Sequence, residues 1–188
     1  PVDGQSVWLD KDGNYTKTYS EANRVQTGKQ SIAPWSAGLS TTVSWKGLQL
    51  DVQFSGMFDR YMWNNERYLL ENPMNASGGN LTTKMLDMWM EPGDITDVPA
   101  ANCTRQLDTQ FLENASYVRL KLLQLSYTLP KKWMDATHFI KGVKVFFTGR
   151  NLLTFTGYSG YDPEVNSSVT LGDYPNTRQY SFGAQITF

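Results

Sequence analysis

Residues 35 to 45, WSAGLSTTVSW, alternate without a break: Trp35, Ala37, Leu39, Thr41, Val43 and Trp45 fall on one face, Ser36, Gly38, Ser40, Thr42 and Ser44 on the other. A period of two with unlike faces predicts a strand apolar on one side only. Lys46-Gly47 then reads as a two-residue hairpin turn. After it Leu48, Leu50, Val52, Phe54, Gly56 and Phe58 alternate with Gln49, Asp51, Gln53, Ser55, Met57 and Asp59. Such a turn pairs Trp45 with Leu48, and so sets Val43 beside Leu50, Thr41 beside Val52, Leu39 beside Phe54 and Trp35 beside Phe58. Turn chemistry and hydrophobic period therefore specify one register.

Three more strands are predicted. In YVRLKLLQLSYTLP, Leu123, Leu125, Tyr127 and Leu129 share a face, although the first half alternates less cleanly. GVKVFFTGRNLLTFT places Val143, Val145, Phe147, Leu153 and Phe155 together, with Phe146 and Leu152 apolar on the opposite side. RQYSFGAQITF is regular, with Tyr180, Phe182, Ala184, Ile186 and Phe188 against Ser181, Gly183, Gln185 and Thr187. The connection after the second strand is long, the next short and the following one long, so tight turns and long loops fall at opposite ends. One helix is predicted in the long segment, where Leu81, Met85, Met88 and Trp89 keep helical spacing before Pro92-Gly93 stops it. Residues 1–33 are polar with scattered aromatics and read as an extracellular loop region; residues 34–188 read as strands and loops of one incomplete domain.

One apolar face per strand fits either a soluble β-sandwich or a membrane barrel. Three features favour the barrel. At about 3.3 Å per residue and a tilt near 40°, Trp35 and Trp45 bracket roughly 25 Å, the height of an apolar band with its aromatic girdles. With Tyr127 they are the expected membrane-interface aromatics. The polar face of the first strand is all Ser, Gly and Thr, where a solvated sheet more often carries Lys and Glu. Segregation of tight turns from long loops is the asymmetry of bacterial outer-membrane barrels, with turns periplasmic and loops outside the cell. Five strands facing lipid leave two open edges, which hydrocarbon does not tolerate, so further strands are expected. A start at Pro1 without an initiator Met points the same way, to a piece of something longer.

Composition narrows the classes further. Lys+Arg 17 against Asp+Glu 18 gives a net charge of −1, without the basic stripe of a nucleic-acid binder. Six Trp, ten Tyr and nine Phe among 188 residues exclude an intrinsically disordered chain. With the single Cys103 there is neither an intrachain disulfide nor a thiolate metal cage, and no run approaches the roughly 18 apolar residues of a membrane helix.

Several segments resemble the C-terminal end of SusC/RagA-type TonB-dependent outer-membrane transporters of Bacteroidetes: SYVRLKLLQLSYTLPKKW, VKVFFTGRNLLTFTGYSGYDPEV, YPNTRQYSFGAQITF and, more loosely, WKGLQLDVQFSGMFDRYMWN and MLDMWMEPGDITDVP. The resemblance covers most of residues 34–188 and implies about five C-terminal strands of a roughly 22-stranded barrel. It further implies an N-terminal plug, energy supplied through the TonB complex, and import of oligosaccharides or peptides with a SusD-like surface lipoprotein. Plug, TonB-contacting segment and the remaining strands are absent from these residues. Tyr180, Phe182, Ile186 and Phe188 resemble the C-terminal signal read by the outer-membrane assembly machinery. The alternative from another class is a soluble β-sandwich that binds glycans through loop aromatics.

Little chemistry is expected, and no enzymatic activity. His138 is the sole histidine, which leaves a Ser/His/Asp triad or a histidine metal site little to build on. Asp94 with Asp97 and Asp162 with Glu164 are the carboxylate pairs a glycoside hydrolase would need; they read as solvated loop acids without the apolar setting that raises a pKa. Asp10, Asp12, Asn14 and Glu21 fall at positions one, three, five and twelve of a calcium loop, but Tyr15 stands where the turn Gly belongs. An ordinary Asx turn is the competing reading. In a bacterial reading the six N-x-S/T triplets reflect loops rich in Asn, Ser and Thr, and only a eukaryotic secreted origin would make them glycan acceptors. Trp63, Trp89, Tyr158 and Tyr161 are the loop aromatics able to stack on a sugar ring or touch a lid.

Overall fold

The Lys46-Gly47 turn forms as the pattern predicts. Its two residues take φ of 48° and 89°, both positive as a type I′ turn requires, and all eleven pairs from Trp35↔Phe58 to Trp45↔Leu48 hold the expected register. In this computed structural model the described residues are 3–103, 105–134, 139–170 and 172–188; His138 lies outside them.

Among these residues the elements in chain order are β1 (Trp8–Leu9), β2 (Tyr15–Thr16), β3 (Trp35–Trp45), β4 (Leu48–Phe58), β5 (Tyr61–Trp63), α1 (Asn65–Leu70), β6 (Leu112–Asn114), β7 (Tyr117–Thr128), β8 (Gly142–Thr156) and β9 (Gln179–Thr187), with short 3₁₀ turns between. The chain divides into two units, neither contiguous in sequence. One comprises Pro1–Ser31, Tyr61–Glu113 and Ser167–Asp173; the other Ile32–Arg60, Asn114–Asn166 and Tyr174–Phe188.

The second unit is one antiparallel sheet in the order β3-β4-β7-β8-β9. Cross-strand rows run through the apolar residues: Val43, Leu50, Leu125, Phe147 and Phe182 form one, and Trp45, Leu48, Tyr127, Val145 and Ala184 the next. The untidy first half of β7 has a structural cause. Gln53 pairs with Leu122 and Phe54 with Leu120, so Lys121 is an extra residue, a β-bulge that resets the alternation. Next door Leu122 pairs with Arg150 and Leu120 with Leu153, and Asn151 in the gap adopts φ of 52°. Asn tolerates that left-handed conformation better than most residues. Past the bulges Val118 and Leu120 rejoin Gly56 and Phe54 on the apolar face. On the polar face the Phe146 ring lies over Gly183, filling the place of a side chain there.

This sheet is not half of a sandwich. Trp35 is 71% exposed, Trp45 68% and Phe182 82%, and Leu39, Val43, Leu153 and Phe155 are exposed as well. A soluble sandwich would bury that face against a second sheet. The connections after Phe58 and Thr156 leave from the end marked by Trp35, Phe58, Tyr117 and Thr156, the tight turn from the other.

The other unit is built from loops around Met62, Val98 and Phe111, all fully buried. The helix predicted over Leu81–Trp89 is only a 3₁₀ segment, Thr83–Asp87, whose N-cap Thr82 makes no side-chain bond. The α-helix forms instead at Asn65–Leu70, where Asn64 accepts from the Arg67 N–H and Arg67 bonds Glu71 one turn on. Capping, not apolar spacing, decides which short segment becomes helical. Phe111 is held edge-on by Tyr68 at 5.6 Å and lies within 5.5 Å of the Arg67 guanidinium and 5.0 Å of that of Arg105.

Candidate functional site

Three surfaces carry the chain's distinctive chemistry. The first is the apolar face of the sheet. Alternation puts Trp35 and Trp45 on it at opposite ends of β3, and register aligns Trp45 with Tyr127 two strands away. Two of the expected interface aromatics therefore share one row and the third marks the far end. The Lys46 ammonium lies 5.0 Å over the Trp45 ring, a cation beside an interfacial aromatic. On β9, Tyr180 stacks on Phe147 at 6.3 Å and Phe182 packs against it at 4.9 Å. Ile186 continues the same face, while Phe188 stacks on Phe139 at 6.4 Å.

The second surface is the polar face near the long-loop end. Arg119, only 3% exposed, donates from Nε to Thr154 Oγ1 at 2.8 Å, from Nη2 to Asp162 Oδ1 at 2.6 Å and from Nη1 to Glu164 Oε2 at 2.5 Å. Lys121, the bulge residue, bonds Glu164 as well. Asp162 Oδ2 accepts the Asn176 backbone N–H at 2.7 Å and its side-chain amide at 3.0 Å. Asp162 and Glu164 thus correct the expectation of solvated loop acids: Asp162 is 3% exposed, because a charged strand residue draws the loop onto itself. Burial pushes the Asp162 carboxyl up, but the bonds from Arg119, Asn176 and the Glu164 N–H outweigh it and hold it below its ordinary value. Bonds from the Met90 and Glu91 N–H groups lower Asp94, and the Lys84 ammonium lowers Asp97. An acid catalyst needs the opposite shift. Arg119 was missed from sequence, although two cations inside the strand run YVRLKLL, followed some forty residues later by the two acids of YDPEV, were a readable signal.

The third surface is an open depression of about 1620 Å³ in the loop unit. Trp63 and Trp89 both line it, joined by Trp8, Tyr15 and Tyr19. Trp63 is fixed by main-chain bonds to Ser168 and Thr170, and Trp8 by its Nε1 bond of 2.8 Å to Asp108. The Trp89 indole N–H is buried and finds no acceptor among the described residues, which suits a polar ligand or water nearby. Tyr158 and Tyr161 belong to the other unit: Tyr158 is buried against Gly160 and Tyr161 stands exposed.

Asp10 closes the β1–β2 connection as an Asx turn, its Oδ1 accepting the N–H groups of Asp12 and Asn14 at 2.9 and 2.8 Å. Glu21 is taken by Arg24 and by the Tyr19 hydroxyl. Among the described residues no three acidic, His or Cys side chains converge to hold a metal, so Asp10, Asp12 and Glu21 are not gathered into a loop site.

No protein-family model matches the chain. Among characterised relatives, TonB-dependent receptor P3 of Formosa agariphila is 29% identical over 198 residues, which cover 98% of this chain and 19% of the relative. TonB-dependent receptor SusC of Bacteroides thetaiotaomicron is 22% identical, over 98% of this chain and 18% of its own length. The solved structure of the RagAB peptide transporter superposes with a TM-score of 0.93 at 38% identity, covering 98% of this chain and 21% of that one; the importer's open-open state gives 0.92. The chain spans about a fifth of the length of these relatives. Sequence and fold together place it among the homologues of SusC/RagA-type TonB-dependent receptors, matched to one portion of the barrel.

Proposed function

We propose that the chain is a C-terminal barrel segment of a TonB-dependent outer-membrane importer that takes up oligosaccharides or peptides together with a SusD-like surface lipoprotein. The observation that carries this reading is the single sheet of 9- to 15-residue strands whose apolar face, from Trp35 to Phe182, is largely exposed among the described residues. Lipid tails are the cover that matches it, and the unpaired edges of β3 and β9 call for neighbouring strands of the same wall. The segment's own work is structural: a lipid-facing wall with interface anchors, and loops presented outside a Gram-negative cell. Similarity to the RagAB peptide importer and to SusC supports the import role. TonB coupling would come through parts of the protein beyond these residues. Trp63 and Trp89, in the aromatic depression, are the proposed contacts for substrate or lid; Tyr161 is a separate exposed one. Tyr180, Phe182, Ile186 and Phe188 are the proposed residues for the assembly machinery. Calcium at Asp10 would share its carboxylate with the turn that Oδ1 closes.

Lipid contact is directly measurable in outer membranes from cells carrying the intact gene. Lipids brominated in the acyl chains near the interface should quench a part of the tryptophan emission that Trp35→Phe and Trp45→Phe remove. Unquenched Trp35 and Trp45, with the protein recovered in plain buffer, would refute the barrel reading.

A further inference from the structure

We propose that residues 157–166 and 174–178, from the connection between β8 and β9, form a strap clamped onto the polar face of β7 by Arg119, and that the bulge at Lys121 completes the clamp. The inward direction of the strap rests on the barrel reading, in which the polar face lines the lumen; the clamp itself does not.

Arg119 shares its face with Ser55 of β4 and Thr154 of β8, so its guanidinium leaves the sheet on the side opposite Leu120. All three of its nitrogens are engaged, Nε on the strand neighbour Thr154 and both Nη on the strap acids. A bidentate guanidinium specifies geometry that a lysine would not. In regular alternation Lys121 would point to the apolar face; the bulge turns its ammonium to Glu164. Arg119 and Lys121 thus face the two acids, with Lys121 and Glu164 at the more exposed side of the cluster. The strap's backbone is tied from a second strand: Arg60, just past β4, donates to the carbonyls of Pro163 at 2.8 Å and Val165 at 2.5 Å. Asn176 draws the other limb onto Asp162. Tyr117, with its ring 5.6 Å from the Arg119 guanidinium and its hydroxyl beside Glu164, joins Arg60 among the further titratable groups that face the cluster. Connections ordinarily run over the surface with solvated backbone; this one is held by buried charge at two places along its length.

Such a clamp fixes position more than it adds stability, because removing one partner strands the other's charge in a buried site. Hydrogen exchange on the intact protein in outer-membrane vesicles tests it through Arg119→Met, Asp162→Asn and the double variant. Each single change should speed exchange of residues 157–166 and 174–178 by at least roughly tenfold while the β7–β8 ladder stays protected. The double variant should exceed neither, since no charge is then left alone. Unchanged strap protection in the singles, or effects that simply sum in the double, overturns the proposal. Should Arg119→Met fail to reach the membrane, Asn176→Ala removes the side-chain amide's bonds to Asp162 and Glu164 and should loosen residues 174–178 alone; no loosening there counts against the clamp. Lipid quenching of Trp35 and Trp45 on the same sample reads the barrel independently. Its absence with the strap still protected refutes the inward direction and leaves the clamp standing.

Discussion

Asp162 is a buried acid of the second unit whose ionisation bears on how the 157–166 segment is held. Its folded pKa lies below the ordinary value of 3.8, so the carboxylate's contribution is complete above that value and is lost as pH falls through the lower folded one. With side chains only 4% and 2% exposed, the Arg119–Asp162 pair is deep enough that breaking it from one side costs about 3–5 kcal/mol. Protection of residues 157–166 against an acid-active protease is therefore expected to hold from about pH 6 to about pH 4 and to fail below. Asp162→Asn should flatten that dependence. A fall in protection already near neutral pH in the parent protein would contradict the assignment. Sequence displayed the pieces, two strand cations and two loop acids, but not that they meet, because nothing local fixes where a 22-residue connection from 157 to 178 lies.

Among elements, the β3–β4 hairpin was the most legible and β7 the least. The hairpin obeys two local rules at once, turn chemistry and a period of two, and each fixes the register alone. Gly47 carries the turn: φ is 89° and an added Cβ would sit 2.8 Å from the Thr128 carbonyl oxygen. Gly47→Ala should thus impair hairpin formation by roughly 1–3 kcal/mol, read as a lower temperature of heat modification on gels for the membrane-extracted protein. An unshifted temperature would show that the turn tolerates the strain. In β7 the alternation fails because Lys121 is an extra residue, and only the pairing with β4 and β8 identifies it. The missed helix α1 has the same lesson, since its Asn64 cap was visible in sequence while the apolar spacing around Met85 pointed elsewhere.

At the scale of the molecule, the chain weaves between two units of unlike construction. The sheet unit keeps Trp35, Leu39, Val43, Trp45, Leu153, Phe155 and Phe182 exposed on its apolar face, with Leu120 covered among its neighbours. The loop unit keeps a small interior, with Phe111 between Tyr68, Arg67 and Arg105 and with Glu71 and Glu113 accepting from Arg67 at 2.9 and 2.8 Å. Phe111→Ala empties that interior and leaves the guanidinium groups without their ring, a loss of roughly 3–5 kcal/mol. Hydrogen exchange should then rise across residues 3–31 and 61–113 and leave the β3-β4-β7-β8-β9 ladder unchanged. A rise confined to residues 109–113 would show that Phe111 does not organise the unit.

What the amino-acid sequence determined alone is the local part: strands, their faces, the turn that pairs β3 with β4, and the segregation of long loops from tight turns. These follow from side chains that alternate and from glycines that permit positive φ, both properties of neighbours in the chain. Tertiary structure alone decided the bulges, the burial of Asp162 by Arg119, and the gathering of Trp63 and Trp89 with Trp8, Tyr15 and Tyr19 around one depression. Each of these joins residues tens of positions apart, and a contact at that range is set by how elements dock, which no local period encodes.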